Sequence, residues 1–95
     1  MSARLLVGAA TVPRLADHVA LKFDRKRGQW LLLAPERLFV LDDTARAVVE
    51  RCRGEATLAD IADALAVEYD APKTRVLADA VTLLQDLADK GLVTQ

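Results

Sequence analysis

The stretch Trp30–Leu41, WLLLAPERLFVL, constrains the fold more than any other part of the chain. Two short apolar runs, Trp30–Leu33 and Leu38–Leu41, flank Ala34-Pro35-Glu36-Arg37. Each run is too short for a helix, and Pro35 blocks a helix from passing through the middle, so the pattern predicts two strands joined by a tight turn. In a strand, successive side chains point to opposite faces. Leu38 and Val40 therefore face one way, Phe39 and Leu41 the other. A surface strand alternates apolar with polar residues; this one is apolar on both faces, so the fold or a partner must cover each.

The flanking segments complete an α+β domain. Upstream, Val19, Leu21 and Phe23 alternate with His18, Ala20, Lys22 and Asp24, the period-two pattern of a half-buried strand. Asp24-Arg25-Lys26-Arg27-Gly28-Gln29 breaks it as a hairpin loop does. Downstream the period changes to that of helices. A first helix is predicted from a cap at Asp42 or Asp43 through Ala45, Val48, Val49 and Cys52, with Gly54 as the residue that ends it. A second is capped by Thr57 and carries Leu58, Ile61, Ala62, Leu65 and Tyr69 on one side. A third has Pro72 in its first turn and runs to about Lys90 before Gly91, leaving Leu92-Val93 extended. Its apolar positions Val76, Leu77, Ala80, Val81, Leu83, Leu84, Leu87 and Ala88 span roughly 160°, wider than a core-facing stripe requires. The expectation is a three-stranded antiparallel sheet followed by a three-helix bundle, an arrangement like a winged helix-turn-helix. Residues 1–12 are expected to form a flexible arm and residues 13–95 a single domain.

Charge and chemistry narrow the function. The net charge is −1 with acids and bases interspersed, so no strong field draws in nucleic acid or an anionic membrane. In a helix-turn-helix reading the third helix would face DNA with Asp79, Asp86 and Asp89 against Arg75 and Lys90, which phosphate would repel. His18 has no nucleophile or carboxylate placed by motif to form a triad. Cys52 lies on an apolar helix face, the setting of an inert buried thiol; a single cysteine rules out an internal disulfide and suits a reducing compartment. No phosphate loop, HExxH, CxxC or GxSxG occurs. The apolar run Leu5–Ala10 is shorter than a signal-peptide core, so a cytoplasmic location is expected. The chain therefore reads as a binding module without catalytic residues, metal or cofactor.

One segment also carries a resemblance. LLAPERLFVLDDTA, Leu32–Ala45, is similar to the pattern of the PqqD family of pyrroloquinoline quinone biosynthesis proteins, in which two leucines and Pro-Glu-Arg precede an apolar strand and a helix start. The likeness continues through Cys52, Gly54, Thr57–Leu65, Tyr69, Asp79, Leu84, Leu87 and Gly91-Leu92-Val93, covering roughly residues 13–93. The chain departs from the family pattern at Arg53, where Asp is frequent, and at Ala80, where Val is.

The resemblance implies a peptide-recognition domain of the kind called a RiPP recognition element, without activity of its own. Its implied partners are the ribosomally made precursor peptide PqqA and the radical SAM enzyme PqqE, which holds the iron–sulfur cluster and SAM. PqqD-like domains also serve other peptide-modifying pathways. On that basis Leu38, Phe39, Val40 and Leu41 are expected to form an edge strand onto which the peptide adds as a further strand. Val76, Ala80, Leu83 and Leu84 are expected to wall the groove opposite. Arg25, Lys26, Arg27 and Arg37 are weaker candidates for contact with the enzyme. An unpaired edge strand also predicts a homodimer, formed by edge pairing or by a domain swap.

Overall fold

The computed structural model describes residues 4–95. In chain order the elements are β1 (Arg14–Leu15), β2 (Ala20–Asp24), β3 (Gln29–Ala34), β4 (Arg37–Leu41), α1 (Asp43–Val49), α2 (Leu58–Glu68), α3 (Lys73–Asp89) and β5 (Val93–Thr94). Strands β2, β3 and β4 form the expected antiparallel sheet in that order, which leaves β4 at an edge. Because this sheet precedes all three helices, the likeness to a winged helix is approximate.

The β3–β4 turn follows from its sequence. Pro35 supplies the fixed φ of a first turn position, and Glu36 takes φ 65°, closing the hairpin on the Ala34–Arg37 pair. Cross-strand register then sorts the side chains. Leu21, Leu32 and Phe39 share one face with Phe23, Trp30 and Leu41. Ala20, Leu33 and Leu38 share the other with Lys22, Leu31 and Val40. The first face turns toward the helices: Leu32 is fully buried, and Leu21, Phe39 and Leu41 pack against the core.

Beneath the sheet, Leu58 and Leu65 of α2, Leu84 of α3, Leu92 and Val49 are fully buried, each burial stabilising by about 1.5–3 kcal/mol. Two side chains secure helix starts. Asp42 Oδ1 accepts from Ala45 N at 2.7 Å, and Thr57 Oγ1 from Asp60 N at 3.1 Å.

Three boundaries differ from the sequence expectation. Helix α1 stops at Val49, well short of Gly54. The chain leaves the helix because Cys52 O accepts from Leu15 N and Gly54 N donates to Pro13 O, tying this segment to the residues around β1. Gly54 is needed all the same, since it adopts φ 73° against the Arg14 side chain. Pro72 is the cap of α3, one position ahead of its first turn. The extended tail after Gly91 pairs as β5 with β1, a second small antiparallel sheet that periodicity does not reveal because each strand has two residues.

The arm read at residues 1–12 lies outside the described residues at its first three positions. From Arg4 onward it runs along α3 and across the start of α2. Arg4 forms a bidentate pair with Asp89, and Gln85 accepts from Val7 N while donating to Leu5 O. The Arg4 hydrogen bond holds the Asp89 carboxyl below the usual carboxylate range. The carbonyls of Thr11 and Ala9 accept from Leu58 N and Ala59 N, satisfying donors that the first turn of α2 leaves open.

Candidate functional site

The site begins with the main chain of β4. A two-residue hairpin closes on a hydrogen-bonded pair, here Ala34 and Arg37, and in an antiparallel ladder such pairs alternate with non-bonded ones. Phe39 and Leu41 therefore exchange bonds with Leu32 and Trp30. Leu38 and Val40 fall at the alternate positions, so their N–H and C=O groups point off the sheet edge. The edge carries a template for one more strand.

Two contacts set β4 beside α3. Arg37 Nη2 donates to the carbonyl of Lys90 at the C-terminal end of α3 over 2.9 Å. Lys90 Nζ stands 5.9 Å from the centre of the Phe39 ring. The opposite end of β4 runs through Asp42 into α1, which packs near the start of α3. Strand and helix thus run in opposite senses.

Past the end of β4 a groove of about 520 Å³ opens between α1, α2 and α3. Val48, Leu65 and Ala80, all buried, form its floor; Val76 and Leu83 of α3, Ala45 of α1 and Tyr69 form its walls. Charge is confined to Asp42, Arg75 and Asp79. Tyr69 is held at the margin, where its hydroxyl donates to Asp43 Oδ2 at 3.4 Å. Asp43 also accepts from Arg46 at 2.7 Å, which keeps its carboxyl below the ordinary range, and Arg46 lies over the Trp30 ring at 5.7 Å. An apolar trough with a few polar groups at its rim suits apolar side chains presented by an extended ligand.

Of the α3 residues expected to wall a groove, Val76, Ala80 and Leu83 line this one. Leu84 is fully buried in the core and does not. On β4 the side chains divide. Phe39 and Leu41 face the helices, while Leu38 and Val40 stand on the outer face at 57% and 56% exposure and offer the edge only their main chain. Ala45, Val48, Leu65 and Tyr69 join the site without having been singled out, because in one dimension they are indistinguishable from core positions of α1 and α2. Arg25, Lys26 and Arg27 are exposed at the β2–β3 tip, remote in sequence from every groove residue; Arg37 is exposed and bound to α3.

The rest of the surface offers less chemistry. A second hollow of about 490 Å³ near the α1–α2 connection is ringed by Glu50, Arg51, Arg53, Glu55 and Asp60. Two of these are bound to each other, Arg51 Nη1 to Glu50 at 3.3 Å. Burial pushes the Cys52 thiol up to about 12, which keeps it protonated at neutral pH. His18 is exposed. On α3, Asp79, Asp86 and Asp89 are all exposed; Asp86 pairs with Lys90 and Asp89 with Arg4, so this face offers a phosphate backbone no free cation from those pairs. No helix among the described residues is long and apolar enough to cross a membrane.

Comparison with known proteins gives the family and the fold. A family model described as Coenzyme PQQ synthesis protein D (PqqD) matches residues 29–93, from the start of β3 to the start of β5. A protein of Bradyrhizobium diazoefficiens named PqqA binding protein is 44% identical over 89 residues, covering 94% of this chain and 86% of that one. The solution structure of the PqqD portion of Methylobacterium extorquens PqqCD, described as a functional stand-alone RiPP recognition element, superposes with a TM-score of 0.83 at 40% identity. That match covers 94% of this chain and 95% of the other. A lasso peptide synthetase B1 solved in complex with its leader peptide gives a TM-score of 0.75 at 25% identity, over 90% of this chain and all of that one.

Proposed function

The chain belongs to the PqqD family, and on that premise we propose that it binds the precursor peptide PqqA by strand addition at β4 and presents it to the radical SAM enzyme PqqE during pyrroloquinoline quinone biosynthesis. The observation that carries this reading is the continuity of two features. The main-chain groups of Leu38 and Val40 point off an unpaired edge, and that edge leads directly into the apolar groove walled by Val76, Ala80 and Leu83. Main-chain bonds to β4 set the register and direction of the peptide, and the groove selects its sequence. The leader peptide held by the structurally similar lasso synthetase B1 supports the mode of binding, and the names of the relatives support the partner.

The chain itself performs no chemistry in this scheme. PqqE brings the iron–sulfur cluster and SAM, so this chain needs neither cofactor nor metal, and both proteins work in the cytoplasm. Two or three apolar anchors supply about 1.5–3 kcal/mol each, and main-chain bonds to β4 add to them, against the cost of ordering a flexible peptide. A micromolar constant is expected, weak enough for the peptide to pass onward.

An amide titration of the isotopically labelled chain with synthetic PqqA peptide tests the reading. Shifts gathered on Leu38–Leu41 and along Val76–Leu83 are expected. A folded chain that shows no shifts with PqqA would remove this partner and call for other precursor peptides.

The same edge leads us to expect self-association. Without peptide, β4 of one molecule pairs with β4 of a second or exchanges its hairpin, giving a homodimer that peptide dissolves. Light scattering over a dilution series is expected to show mass rising with concentration and falling when peptide is added. A constant monomer mass at high concentration would refute it.

A further inference from the structure

The outer face of the three-stranded sheet plays no part in the groove. Leu31, Leu33, Leu38 and Val40 stand on it as two adjacent cross-strand pairs, Leu31 opposite Val40 and Leu33 opposite Leu38. All four are at least partly exposed, and none packs against the core. Four aliphatic side chains gathered on a solvent-facing sheet surface mark an interaction site.

Charge says what kind of surface covers it. Residues 20–41 carry Lys22, Arg25, Lys26, Arg27 and Arg37 against Asp24 and Glu36, a net +3, whereas residues 42–95 carry eleven acids against six bases. The seven ion pairs among the described residues involve Arg4 and cations of the helical part; Lys22, Arg25, Lys26 and Arg27 take part in none. Lys22 lies on the same face as the leucines, directly opposite Leu31. An aliphatic patch with unpaired cations at its margin complements an apolar surface rimmed by carboxylates. A second copy placed face to face would instead bring two net-positive sheets together.

The patch is also continuous with the peptide edge. A strand added to β4 extends the pleat, so alternate peptide side chains fall on the outer face beside Leu38 and Val40 while the others turn toward α3. We propose that this outer sheet face, with the cationic β2–β3 tip, docks the peptide-modifying enzyme through an apolar patch rimmed by acidic side chains, and that bound peptide enlarges the surface the enzyme grips. The proposal rests on the reading above for the identity of the enzyme and for the gain from bound peptide. Docking on this side leaves the groove occupied by peptide, and the enzyme favours the loaded form over the empty one.

The test measures binding of purified PqqE to the full chain, with and without saturating PqqA peptide, for wild type and two double variants. L31T/L33T keeps β-forming residues in β3 and touches no groove position; R25E/R27E changes only an exposed loop tip. Peptide is expected to tighten enzyme binding to the wild type at least threefold. Both variants are expected to weaken enzyme binding more than tenfold while binding PqqA like the wild type, and R25E/R27E to flatten its salt dependence. Loss of enzyme binding in L31T/L33T would uphold the face even if PqqA failed to bind the wild type. Wild-type enzyme affinity in both variants would overturn it. So would enzyme-independent binding of the chain to vesicles of phosphatidylserine and phosphatidylcholine, or self-association that L31T/L33T abolishes with no effect on the enzyme; these would assign the face to a membrane or to a second copy.

Discussion

Leu83→Asp is expected to weaken PqqA binding by more than tenfold in a chain that still folds. Leu83 is half-buried on the α3 wall of the groove, so a bound apolar side chain completes its burial. Tenfold corresponds to about 1.4 kcal/mol, less than the ~1.5–3 kcal/mol that one well-buried aliphatic contact provides. A carboxylate there also sets a charge against an apolar ligand, next to exposed Asp79 and Asp86. The neighbouring position would not serve. Leu84 is fully buried, and a charge in its place would unfold the chain before binding could be read. Titration calorimetry on the folded variant gives the answer, and unchanged affinity would take α3 out of the peptide site.

Val40→Pro tests the strand edge that leads into the groove. Val40 is opposite Leu31 at a position that exchanges no bonds with β3, so its N–H points off the edge. Proline is tolerated in an edge strand at such a position because it removes no ladder bond. The fold is therefore expected to survive, with a near-native amide spectrum outside β4. Peptide binding is expected to fall at least tenfold. One main-chain bond, net about 0.5–1.5 kcal/mol, is removed, and the ring fills the place of the incoming strand. A variant that folds and binds PqqA normally would show that the peptide does not add at this edge. Taken together, the two variants separate the groove wall from the strand template.

Much of this was legible along the chain. The doubly apolar run at Leu38–Leu41, the Pro35-Glu36 turn and the wide stripe of α3 each depend on neighbours in sequence, and local sterics with a period of two or 3.6 suffice to read them. Cap residues Asp42 and Thr57 act within three residues of themselves and were legible for the same reason. The pairing of β1 with β5 was not, because it joins Arg14 to Thr94 through strands too short to show a period. The early end of α1 has the same origin, since bonds to Pro13 and Leu15 outweigh the helical pattern that continues to Cys52.

The sequence by itself determined the class of fold, the doubly apolar strand, the turn before it and the wide apolar stripe of the last helix. Tertiary structure decided which of those residues a ligand can reach. It sent Leu84 into the core and kept Leu83 on the groove, added Ala45, Val48, Leu65 and Tyr69 from two other helices, and turned Leu38 and Val40 away from the groove onto an outer face. The reason is physical. Periodicity tells which side of an element is apolar, but burial depends on what the other elements bring against that side, and those contacts join residues far apart in the chain.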